Sequence, residues 1–132
     1  MSRPIDPAEV AQRIESLRAD LTRLAPDRSI EIVAVTKGFE VDAPRAALAA
    51  GVTKIGENYA QELIAKHEQL TDEERARIEW QFLGRLQRNK VRALAPIVAV
   101  WQSVDRPELI DEIARRASGA RVMIQVDLSG EP

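Results

Sequence analysis

The run Ile30-Glu31-Ile32-Val33-Ala34-Val35-Thr36-Lys37-Gly38-Phe39 decides how the chain is read. Ile30 to Thr36 is β-branched, short and apolar enough for a buried strand. The turn after it reads Thr36-Lys37-Gly38-Phe39 where a dinucleotide-binding sheet would carry its glycine fingerprint, and no GxGxxG or Walker sequence occurs elsewhere. The strand therefore enters a sheet that lacks a phosphate loop of that kind, which favours a barrel over a doubly wound layer.

Before this run, Asp6-Pro7-Ala8-Glu9 reads as a capping box with proline at the first helical position. Val10, Ile14, Leu17, Leu21 and Leu24 follow at helical spacing until Pro26-Asp27-Arg28-Ser29 breaks the pattern. After it, Asp42 and Pro44 start a second helix that Gly51 ends, and Val52 to Gly56 forms strand two. Asn58 is expected as the N-cap of the next helix, with Gln61 three residues on; Thr71 and Glu74 then start a short helical turn. Glu79 to Leu83 is strand three, and Leu86, Val91 and Leu94 mark a basic helix that Pro96 stops. Ile97 to Gln102 is strand four, Asp105-Arg106-Pro107-Glu108 a further capping box, and Arg121 to Asp127 strand five after Gly119.

This alternation predicts an α/β fold with a parallel sheet. A complete TIM-type barrel takes about 250 residues, whereas these 132 supply five strands and stop at Ser129-Gly130-Glu131-Pro132. The expectation is a single domain over residues 1–132: an incomplete TIM-type (β/α) barrel, its first five strands with their helices. Strands one and five would be open edges through which the chain could self-associate.

Composition narrows function. Apolar residues are 45% and charged residues 30%, the globular range, and 19 basic against 21 acidic side chains leave no global field for nucleic acid or an acidic membrane. With no cysteine and one histidine, thiol nucleophiles and thiolate or histidine metal sites are not expected. Met1 to Val10 lacks the apolar run of a signal peptide, so a cytoplasmic location is expected.

In barrels the reactive groups stand at the C-terminal ends of strands. Lys37 directly follows the first strand, so its stem should lie against the wall and its amine at the mouth. Desolvation there would favour a neutral amine able to form a Schiff base. His67 reads as a packing residue, Trp80, Phe82 and Trp101 as core, and Arg85, Arg88, Lys90 and Arg92 as a solvated face. Glu57 and Glu62 show no partner that would make an acid and base pair.

Five segments add a resemblance: Val33-Ala34-Val35-Thr36-Lys37, Gly56-Glu57-Asn58-Tyr59-Ala60-Gln61-Glu62-Leu63, Trp80-Gln81-Phe82-Leu83-Gly84-Arg85-Leu86-Gln87-Arg88-Asn89-Lys90, Ser103-Val104-Asp105 and Gln125-Val126-Asp127-Leu128-Ser129-Gly130-Glu131. In this order, over nearly the whole chain, they resemble the pyridoxal phosphate homeostasis family, the single-domain relatives of the alanine racemase barrel. The resemblance implies that Lys37 holds pyridoxal 5′-phosphate (PLP) as a Schiff base with Asn58 close to the cofactor. It implies binding and delivery of PLP in vitamin B6 homeostasis, with PLP-dependent apoenzymes as partners, rather than catalysis in the usual sense. Gln81 stands where the family usually has histidine and Arg85 where it often does. The segments with which the family holds the phosphate and the pyridine ring are absent from this chain. Two other classes stay open: an aldolase-like enzyme using Lys37 without PLP, and a truncated interaction module.

Overall fold

Asp6 opens the first helix by accepting a hydrogen bond from the Ala8 amide at 3.0 Å, with Pro7 at the first helical position. The reciprocal arm of the expected capping box is replaced by an ion pair, for Glu9 reaches forward to Arg13 at 2.6 Å. This helix, α1 (Pro7–Leu24), lies against α2 (Asp42–Ala49), with Val10, Ile14 and Leu21 half-buried and Leu17 and Leu24 exposed. The structure is a computed structural model describing residues 3–131. Met1 and Ser2, at the start of the N-terminal stretch, and Pro132, at the close of the final loop, lie outside the described residues.

The remaining elements alternate: β1 (Val33–Val35), β2 (Lys54–Glu57), α3 (Ala60–Gln69), α4 (Asp72–Arg77), β3 (Glu79–Phe82), α5 (Val91–Leu94), β4 (Val98–Val104), α6 (Pro107–Arg116) and β5 (Arg121–Ile124). All neighbouring strands are parallel and the sheet order is β1-β2-β3-β4-β5. The order never reverses, so there is no switch point of the doubly wound kind. As the sequence predicts, β1 and β5 are the edges.

The two faces differ in chemistry because side chains alternate along each strand. Ile55 pairs with Trp80 and Phe82 with Trp101, and these four belong to the one apolar core with Leu63, Leu94, Leu109 and Ile113 from the helices. The three large aromatics predicted as core are 1–3% exposed. Off that core, polar groups join strand to strand: Lys54 reaches Glu31 at 2.5 Å and Glu79 at 3.8 Å, Arg121 pairs with Glu79, and Gln102 donates to Gln81.

Several local expectations change. The first strand shrinks to three residues because Ile30 to Ile32 lie beyond the register with β2. The basic helix divides into a 3₁₀ turn, Arg88–Lys90, and the one-turn α5. The cap of α6 is Arg106 rather than Asp105, whose carboxylate pairs with Arg106 at 3.4 Å. The fifth strand, expected as an open edge, is exposed along its whole length because it has a neighbour on one side only. The box at Thr71 and Glu74 forms as read, and Gly51 and Gly119 take positive φ at helix ends. No helix among the described residues is long and apolar enough to cross a membrane.

Candidate functional site

Parallel pairing places the C-terminal ends of all five strands along one side of the sheet. Two glycines draw the exits of β2 and β3 together. A Cβ on Gly56 would stand 2.6 Å from Leu83 Cδ1, and one on Gly84 would overlap the backbone carbonyl of Asn58. Only the missing side chains permit this approach. Asn58 and Arg85 consequently border the same two clefts. One, of about 860 Å³, is lined also by Ser103, Asp105 and the segment Gln125 to Leu128; the other, of about 570 Å³, by Phe82, Lys90 and Arg106 among others.

Within this region Ser103 donates to the Leu83 carbonyl and Arg106 to that of Leu86. Asp127 accepts the hydroxyl of Ser129 at 2.7 Å and its amide at 2.8 Å, and these bonds hold its carboxyl below the usual range. Asn58 is half-buried but does not cap α3. Tyr59 occupies the N-cap without a side-chain bond, because β2 runs on to Glu57 and the helix starts at Ala60. Lys37 stands two residues past Val35 and Asn58 two residues past its partner Gly56. Lys37 is exposed, so the expected burial of its stem against the wall is not present among the described residues.

Beneath this turn lies a cluster that the sequence reading passed over. Glu57 is 0% exposed and Lys66 4%. The Lys66 ammonium donates to Glu57 Oε1 and to the Thr36 carbonyl, both at 2.7 Å, and the Thr36 hydroxyl donates to Glu57 Oε2 at 2.6 Å. Glu62, half-exposed and 3.7 Å from Lys66 Nζ, accepts the Gly38 amide at 3.0 Å. Burial pushes the Glu57 carboxyl up, against the pull of the bonds from Lys66 and Thr36. Glu57 and Glu62 therefore do have a partner, and it is Lys66. The missed signal is that Leu63, Lys66 and Leu70 follow at spacings of three and four, which puts a lysine on the buried stripe of α3.

His67 agrees with the packing role. It is half-buried, its Nδ1 has no partner, and burial followed by the nearby Arg75 charge lowers its pKa. Among the described residues no group of three or more His, Cys, Asp or Glu side chains could hold a metal ion.

Comparison with known proteins follows the same outline. No family model matches the chain. The pyridoxal phosphate homeostasis protein of Pseudomonas aeruginosa is 34% identical over 128 residues, covering 94% of this chain and 54% of that protein. The protein of the same name from Aquifex aeolicus is 42% identical over 85 residues, covering 61% of this chain and 36% of that one. The solved structure of PipY from Synechococcus elongatus with PLP bound superposes with a TM-score of 0.81 at 35% identity, over 92% of this chain and 56% of PipY. The chain thus spans about half the length of the curated relatives it matches over most of its own length.

A buried charge left without its partner is costly, whereas removing both partners is often tolerated. Lys66→Met should lower unfolding free energy by about 3–5 kcal/mol, and adding Glu57→Gln to it should restore much of the loss. Urea denaturation of the single and double variants checks this; equal losses in both would show that the two residues do not form one unit.

Proposed function

The chain belongs to the pyridoxal phosphate homeostasis family, and from that premise we propose that it binds PLP through a Schiff base on Lys37, with Asn58 beside the cofactor. One observation carries the assignment. Lys54 is paired with Glu31 and Glu79 and Lys66 with Glu57, while Lys37 is exposed at the exit of β1, next to the exit of β2 that bears Asn58. Lys90 lies on the 3₁₀ turn after β3. When bound, the cofactor supplies an aldehyde that an accessible amine can hold, and Lys37 fits that requirement.

The function is reversible binding and delivery to PLP-dependent apoenzymes in vitamin B6 homeostasis. Glu57 and Lys66 satisfy each other beneath α3, which supports holding a cofactor over shuttling protons. Residues 1–132 are read as one domain, the first part of a TIM-type barrel. The unreversed strand order supports this, because right-handed crossovers between sequential neighbours place their helices on one side of a sheet. The two edges suit pairing with a second copy, since Val35, Val122, Met123 and Ile124 are exposed there beside unpaired backbone groups.

Three measurements check these statements. Borohydride reduction in the presence of PLP, followed by peptide mapping, should place the label on Lys37, and mixing unreduced loaded protein with a PLP-dependent apoenzyme should restore that enzyme's activity. Label on Lys54, Lys66 or Lys90 with Lys37 unmodified would refute the assignment. Sedimentation across a dilution series should show a concentration-dependent dimer or larger species, and a monomer at every concentration would refute edge pairing.

A further inference from the structure

The peptide groups on either side of Lys37 are both held by one helix. On the N-terminal side, the Thr36 carbonyl accepts from Lys66 at 2.7 Å; on the C-terminal side, the Gly38 amide donates to Glu62 at 3.0 Å. Lys66 and Glu62 are one turn apart on α3, at i and i+4, and Lys66 is itself anchored on buried Glu57. We propose that Glu62 and Lys66 are positioning residues for Lys37, a pair of grips by which α3 fixes the backbone from which the reactive amine projects. The inference rests on the assignment of Lys37 as the PLP-bearing lysine.

Chemistry and conformation both support it. An exposed lysine carries much rotamer freedom, and a turn just beyond a three-residue strand would add backbone freedom to it. Gly38 takes φ +80°, a conformation open to glycine that directs its amide to Glu62. Fixing both flanking peptides removes the backbone part of that freedom before any ligand arrives, which is the ordinary route by which an attacking group is preorganised. The grip at Glu62 is separable from the fold, because its side chain is 38% exposed and outside the apolar core.

The test compares the chain with its Glu62→Ala and Glu62→Gln variants. Glutamine keeps an oxygen for the Gly38 amide but loses the charge, and alanine loses both. All three should melt at closely similar temperatures. Exchange of the Gly38 amide proton should speed up in Glu62→Ala and stay near the parent rate in Glu62→Gln. Titration with PLP, read by absorbance and by borohydride-trapped label on Lys37, should give a dissociation constant raised about five-fold in Glu62→Ala, the effect of one lost hydrogen bond, and close to the parent value in Glu62→Gln. Unchanged PLP affinity in Glu62→Ala would overturn the inference while leaving Lys37 as the PLP residue. Glutamine as weak as alanine would replace the hydrogen bond with a charge effect and overturn it as well. Failure of the parent protein to label at Lys37 would instead refute the functional reading itself, and the positioning role with it.

Discussion

A fully buried carboxylate against an almost fully buried ammonium is the constraint on which the upper end of this sheet depends. Glu57 and Lys66 have left water, and a pair so placed is tolerable only when its remaining hydrogen-bonding capacity is also met. It is met by Thr36, the residue just past β1: its hydroxyl takes the second carboxylate oxygen, and its carbonyl takes another ammonium proton. Three elements are thereby tied at one point, the ends of β1 and β2 and the middle of α3. Because Lys37 is the next residue after Thr36, whatever fixes Thr36 also fixes the origin of the lysine side chain.

The glycines complete the arrangement from the other direction. Gly56 lets Leu83 lie over β2, and Gly84 lets the exit of β3 close on the carbonyl of Asn58. The helix side of the sheet is apolar and continuous, whereas Glu31, Lys54, Glu79 and Arg121 run as a chain of opposite charges across strands from the β1 side to β5. Among the strand residues, the exposed large apolar groups lie on the two edges, Val35 on β1 and Val122, Met123 and Ile124 on β5.

How much of this could be read in the sequence follows from how local each feature is. The caps at Asp6 and Thr71 and the positive-φ glycines 51 and 119 depend on a few adjacent residues, and they form where the sequence places them. Alternation of short apolar runs with helical spacing gave the parallel sheet, and the missing glycine fingerprint after β1 favoured the sequential strand order over a doubly wound one. Asn58 looked like a cap because asparagine usually is one, but the extension of β2 to Glu57 moved the helix start beyond it. The exposure of β5 followed from its place as the last strand of an unclosed sheet, because burial of a strand is set by the neighbour on its far side. The Glu57–Lys66–Thr36 cluster joins residues as many as thirty positions apart; only the placement of Lys66 between Leu63 and Leu70 hinted at it.

The central claim is that Lys66 is a buried, hydrogen-bonded ammonium rather than one more surface lysine, and NMR of the lysine side-chain ammonium groups tests it most directly. In ¹⁵N-labelled protein near neutral pH, a slowly exchanging ammonium signal should be present that Lys66→Arg removes, while that of Lys37, exposed to water, should be lost to exchange. A Lys66 ammonium exchanging as fast as that of Lys37 would contradict the account.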